Sequence, residues 1–284
     1  MSFEDQTSRA CAVVGLARQY LPATVEFSGQ ITDNDWRLAG PGLVGGAASI
    51  VESVFRLPPP SQTPSAEILT RSLADYVITF AWLAVPDARQ DRLNRFEETF
   101  YNETEGLDAM YTTEFQGKTQ TKPRHSKPGR QPSDRQKLMA HYTKLIKAGT
   151  MPAGLLTDEM RSWIEERRAI IDAKPMPVLL DRAFQADEYW VNHSDAVAGN
   201  PFANQWVLVF SRYSAVAHAT ATAASRMAFA NEGVLHVGEA TEESITSTPY
   251  GLATALLGLM LHVAEKSLGW PSEEELDAAF AVAR

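Results

Sequence analysis

Between Thr63 and Trp82 the chain carries apolar residues on two faces of a single helical repeat. Thr63-Pro64-Ser65 suits a helix start, because the proline ring fixes φ near its helical value and its missing N–H would be an orphan in the first turn. Pro64, Ile68, Arg71, Asp75, Ile78 and Trp82 fall on one stripe, while Leu69, Leu73, Tyr76, Phe80 and Leu83 fill another. A helix that is apolar on two sides must be covered on two sides. The segment therefore predicts a central helix with several neighbours.

The rest of the chain supplies those neighbours. Ser8 to Leu21 and Gly42 to Leu57 show helical spacing, the second ended by Pro58-Pro59-Pro60. After Pro86 a longer, more charged helix is expected, with Leu93, Phe96, Phe100, Leu107, Met110 and Tyr111 facing inward and Gly106 as a kink. Gln116 to Ser133 is rich in Gly, Pro, Ser, Thr and Lys and lacks periodicity, which predicts a flexible basic loop. Further helices are expected at Asp134 to Lys147, Thr157 to Ala173 and Ala183 to Val191, and a long one from Asn204 to Ala230. Gly233 to Gly238 alone reads as extended. Thr248-Pro249 then opens an apolar helix with Leu252, Leu256, Leu257, Met260, Leu261 and Ala264 inside and Gly269 just past its end. A last helix, Ser272 to Ala283, gathers Glu273, Glu274 and Glu275 in its first turn, where the helix dipole favours them. No βαβ alternation supports a parallel sheet. The expectation is an all-α, multi-helix bundle forming one domain over residues 1–284, with residues 116–133 as a loop within it.

Charge and cysteine content narrow the function. A formal charge of −9 and a pI near 5.2 disfavour long-range attraction to nucleic acid or to an anionic membrane. The single cysteine, Cys11, permits no intramolecular disulfide and no multi-cysteine zinc site, which agrees with a reducing cytoplasmic setting. The acidic start Met-Ser-Phe-Glu-Asp-Gln does not resemble a signal peptide. The apolar run Gly251 to Ala264 contains His262 and stops at Glu265, too short to span a bilayer, so no membrane partner is expected.

Several motifs fail on context. Gly40-Pro-Gly42-Leu-Val-Gly45 matches G-x-G-x-x-G literally, but Ile31 to Leu38 before it is not a buried strand. The glycines then read as a loop and helix start that allow close packing. No Walker loop, His-Glu-x-x-His helix or nucleophile elbow appears, so no cofactor is expected. His193-Ser-Asp195 and His236-Val-Gly-Glu239 lack recognisable partners, so no metal is expected either. Against the acidic average stands one basic island: Lys118, Lys122, Arg124, Lys127, Arg130, Arg135 and Lys137, opposed only by Asp134. It can hold a phosphate backbone or serve as a solvated loop, and no aromatic residue is interleaved for base stacking.

Two polar groups interrupt the apolar faces. Arg71 and Asp75 stand at i,i+4 on the central helix, where a structural ion pair and a charged pair poised in a pocket both fit. Phe210, Ser214, His218, Ala221 and Ser225 share a stripe on a helix thinned by alanines. Ser214 and His218 can touch, and with an Arg/Asp pair they offer the groups needed for proton transfer and anion holding, or for a satisfied buried network. Arg212 lies about 120° around a regular helix from His218, so one helix does not aim both at the same atom.

The segment Leu69-Thr-Arg-Ser-Leu-Ala-Asp75-Tyr76, followed by Arg212-Tyr-Ser-Ala-Val-Ala-His218, resembles a widespread uncharacterised bacterial helical family with an Arg-Ser-Leu-x-Glu/Asp segment and a later Tyr-x-x-Ser-x-x-x-His segment. Arg212 and His218, five residues between them, are also similar to the Arg-x(4 to 6)-His signature of HEPN domains. Those are all-helical bacterial proteins, many of them metal-independent ribonucleases of toxin and phage-defence systems that act as dimers. That resemblance implies a catalytic pair. His218 would move a proton at a ribose 2′-hydroxyl, Arg212 would stabilise the phosphorane charge, and the basic island would guide RNA to a homodimer. Two other readings stand beside it: a non-catalytic binding or regulatory module in which Arg71, Asp75, Ser214 and His218 line an anion-recognising pocket, and a purely structural network.

Overall fold

A computed structural model describes residues 3–21, 36–57, 59, 62–111, 144, 156–171, 174–194, 199–207, 209, 228–231, 234–237 and 248–281. Its helices are α1 (Phe3–Gln19), α2 (Trp36–Phe55), α3 (Thr63–Ala84), α4 (Arg89–Tyr111), α5 (Asp158–Ile171), α6 (Leu179–Trp190), α7 (Thr248–Leu268) and α8 (Glu273–Ala281). A further helical stretch covers 201–207. Among the described residues the architecture is all-α apart from one antiparallel ribbon of two four-residue strands, β1 (Ala228–Asn231) and β2 (Val234–Val237). The expected extended segment is β2. The helix expected to run to Ala230 does not, because Ala228 to Ala230 belong to β1, and their backbone groups are satisfied across the ladder with Ala228 opposite Val237 and Asn231 opposite Val234. The basic loop 116–133 lies outside the described residues.

The described residues group into two units, Met1–Leu93 with Pro177–Arg284, and Asn94–Met176. In the first unit α3 packs against α2, α6 and α7, as a two-faced helix requires. Leu73, Val77, Ile78, Phe80, Trp82 and Leu83 are shut off from solvent. Each such side chain contributes about 1.5–3 kcal/mol by leaving water. Ile68 and Tyr76, at the margins of the two stripes, stay partly exposed.

Close approach on the α2 side depends on a missing side chain. A Cβ at Gly46 would stand 2.5 Å from the Tyr76 ring. The Gly40-Pro41-Gly42 segment is not a loop, as the sequence suggested, but part of α2, which begins at Trp36. Pro41 comes early enough that only the hydrogen bond to the carbonyl of residue 37 is forgone. Gly40 does serve close packing, since a Cβ there would lie 3.3 Å from Leu268 and from the Trp36 ring.

Buried polar groups then fasten the neighbours. Trp190 Nε1 of α6 donates to the Ala81 carbonyl of α3 at 2.8 Å, and Trp82 Nε1 donates to Gln185 Oε1 at 2.8 Å. Tyr250 of α7 donates to the Leu57 carbonyl just past α2 at 2.6 Å. Asp187, buried on α6, accepts the backbone N–H groups of Phe202 at 3.0 Å and Ala203 at 2.8 Å, and so caps the helical stretch that starts there. At the start of α8, Ser272 and Glu275 form a reciprocal capping box. Tyr20, just beyond α1, donates to the same Glu275 at 2.6 Å.

In the second unit the inner face of α4 is rotated by one residue from the expected one. Phe100 and Leu107 are 58% and 54% exposed, while Tyr101 and Asp108 are 1% and 4% exposed. Polar bonds decide the rotation. Asp108 accepts Leu156 N at 3.1 Å and Arg161 Nη2 at 2.8 Å. Arg167 pairs with Glu97 at 3.0 Å, and Arg168 with Glu98 at 3.1 Å and Glu105 at 2.7 Å. Tyr101 donates to Glu97 and shares an apolar cluster with Leu156, Ile164 and Ile171.

Asp187→Ala is expected to lower stability by about 2 kcal/mol, because it orphans two buried N–H groups, whereas Asp187→Asn retains an acceptor and loses less than half as much. Thermal unfolding of the two variants beside the parent checks the order; equal losses would mean that Asp187 does not cap.

Candidate functional site

Arg71, Asp75 and Thr79 stand one turn apart along α3 and share a stripe. Helix α6, held by its two tryptophan hydrogen bonds, lays Arg182 across that stripe, and Arg182 Nη1 donates to Thr79 Oγ1 at 2.6 Å. Arg71, Asp75 and Arg182 thus form a half-buried charged group contributed by two helices.

Burial dominates the electrostatics. It pushes the Asp75 carboxyl above its ordinary value, although the positive charges of Arg71 and Arg182 pull the other way. Burial likewise lowers Arg182, against the opposing pull of Asp75. The mutual attraction therefore does not fully repay desolvation, which is the usual position of buried ion clusters. Two atoms report the same imbalance: Asp75 Oδ1 and Arg182 Nε are buried and have no hydrogen-bond partner among the described residues. An arginine stays charged at any accessible pH, so Arg71 and Arg182 are suited to holding a negative group.

Arg71 and Asp75 stand one turn apart on α3, where the charge of Arg71 acts on Asp75, and Arg182 and Thr79 lie beside them, a pair that sequence reading missed. The available signal was weak. Arg182 shares a stripe with Ala186 and Tyr189 on an amphipathic helix, a lone cation on a packing face. Arg212, Ser214 and His218 lie outside the described residues, as do Lys118, Lys122, Arg124, Lys127 and Arg130. Of the histidines weighed as metal ligands, His193 is exposed and stacks on Tyr189 with ring centres 3.9 Å apart. His236 sits in β2 opposite Phe229. Among the described residues no three His, Cys, Asp or Glu side chains are arranged to hold a metal ion. No described helix is long and apolar enough to cross a membrane.

Comparison of the chain with protein-family models, with curated proteins and with solved structures gives no match.

Asp75 makes a signed prediction. Its folded pKa is raised, so its contribution to stability is fully present below the unfolded value and is lost as pH rises through the folded one. Asp75→Asn removes that dependence. Denaturant titrations at about pH 4 and about pH 7 should show the stability difference moving in favour of the variant at the higher pH. A difference that is constant, or that moves the other way, would contradict the burial argument.

Proposed function

We propose that the chain is a helical binding module that recognises a small oxyanion, a carboxylate or phosphate group, at the Arg71–Asp75–Arg182 cluster. One observation supports this most: the charges of Arg71 and Arg182 both act on Asp75 at a half-buried position, and the Nε of Arg182 is buried without a hydrogen-bond partner among the described residues. Arg182 donates to Thr79 through Nη1, and its Nε points into surroundings that screen charge poorly. Guanidinium N–H groups form a planar fork that matches carboxylate and phosphate oxygens. Asp75, which attracts both arginines, competes with the ligand for them. Ser214, expected from the sequence at the same site, would add a hydroxyl donor.

The ribonuclease reading draws on Arg212, His218 and the basic island, which lie outside the described residues. The anion-binding reading is favoured by the placement of Arg71, Asp75 and Arg182 within them.

Calorimetric titration with inorganic phosphate and with acetate, against chloride at matched ionic strength, tests the proposal. At least one oxyanion should bind the parent, and Arg182→Ala should weaken that binding about tenfold or more, the loss of a charge-assisted bond of roughly 1.5–3 kcal/mol. Asp75→Asn should tighten it. Binding that is indifferent to both substitutions, or no preference over chloride, would overturn the reading.

A further inference from the structure

A second polar site lies away from the arginine cluster, in the same unit. The segment following α6, the last third of α7 and the start of α8 enclose a cavity of about 270 Å³. His193 and Ser194 line it from the first, His262, Glu265 and Lys266 from α7, and Glu273 from α8. The position of each follows from local folding. The turn after Trp190 is closed by His193 N and Ser194 N donating to the Trp190 carbonyl at 3.1 and 3.0 Å, which turns the chain back toward α7. On α7, His262, Glu265 and Lys266 fall within about one turn and so face one region.

The lining offers acceptors and negative charge. Glu265, Glu273 and Asp277 all act on His262, and Lys266 is the opposing cation, which leaves carboxylates in excess. Lys266 is paired with Glu265 at 3.0 Å, and the carboxylate of Glu273 lines the same space. Despite these three acidic neighbours, burial keeps the His262 imidazole below its usual pKa, and therefore neutral and able to accept a hydrogen bond at neutral pH. Ser194 is only 7% exposed, and no hydrogen bond ties its hydroxyl elsewhere among the described residues. Val191 supplies an apolar patch on the rim.

We infer that this cavity binds a small organic cation, a primary ammonium group carried on a short alkyl chain. The ammonium has three N–H donors that spaced acceptors such as Glu273, His262 and Ser194 can share. A divalent metal fits less well, because no three described acidic, histidine or cysteine side chains close on one point. A chain of a few carbons fits the volume and meets Val191. The site shares no residue with the oxyanion cluster, so the two proposals stand or fall separately.

The experiment titrates the full chain with n-butylamine and with 1-butanol, its neutral isostere, by calorimetry and by proton NMR of the histidine ring signals. The amine is expected to bind at least about ten times more tightly than the alcohol and to shift the His262 signal, which His262→Gln identifies. Glu273→Gln should weaken amine binding about fivefold, and Lys266→Gln should tighten it by a similar factor; both residues are exposed, so neither substitution disturbs the core. Opposite shifts from opposite charges distinguish binding in the cavity from general loss of structure. Amine and alcohol binding equally, neither binding, or an affinity that ignores both substitutions would each overturn the inference.

Discussion

The burial of α3 on both faces governs the larger unit. A helix with that much apolar surface leaves its neighbours little choice of approach. α2 comes close because Gly46 gives way to the Tyr76 ring, and α7 brings its own buried row of Leu256, Leu257, Met260 and Leu261. On the α6 side the covering residues are tryptophans, and a buried indole brings an N–H that needs an acceptor. Trp190 finds the Ala81 carbonyl and Trp82 finds Gln185, so apolar cover and hydrogen-bond satisfaction fix the same helix in the same register. Arg182 reaches Thr79, with its charge acting on Asp75, as a consequence of that register. The charged cluster is thus a by-product of how an apolar helix had to be covered.

What could be read from the sequence follows the same division. The two stripes of α3 identified its central place, and they put Arg71 and Asp75 on one line before any neighbour was known. The inner residues of α7 and the glycine past its end were equally legible, and Gly269 takes the positive φ of 77° that favours glycine there. Periodicity failed where polar contacts decide orientation. In α4, Phe100 and Tyr101 are adjacent aromatics, and hydrophobicity alone picks Phe100; the bonds from Arg161, Arg167 and Arg168, forty or more residues away, turn Tyr101 and Asp108 inward instead. Arg182 was missed for the same reason, since nothing near it in the chain announces Asp75. The proline in α2 misled in the opposite sense, because a helix breaker in the second turn breaks very little.

The two units are held together by different physics. The first rests on a wide apolar core, whereas the second has a small cluster around Tyr101, Leu156, Ile164 and Ile171 bordered by arginine–carboxylate pairs. Of these, Arg167–Glu97 is largely shielded, whereas the more exposed Arg168–Glu105 contributes about 0–1 kcal/mol and weakens as salt screens it. Arg168, which meets Glu98, Glu105 and Asn102 at once, loses less side-chain freedom per bond than three separate pairs would. The second unit therefore owes more of its cohesion to conditions in solution than the first does.

The hydrogen bond from Tyr20 to Glu275 joins residues 255 positions apart, and Glu275 also closes the capping box of α8. A contact of such long sequence separation closes a large loop, and the entropy of that closure must be met before the bond contributes. Such pairings form after local helices are in place and open before the core does. Because one carboxylate serves both the tyrosine and the start of α8, separation of Tyr20 from Glu275 and fraying of α8 are coupled. In amide exchange the C-terminal end of α1 and the first turn of α8 would accordingly behave as a single cooperative element, although nearly the whole chain runs between them.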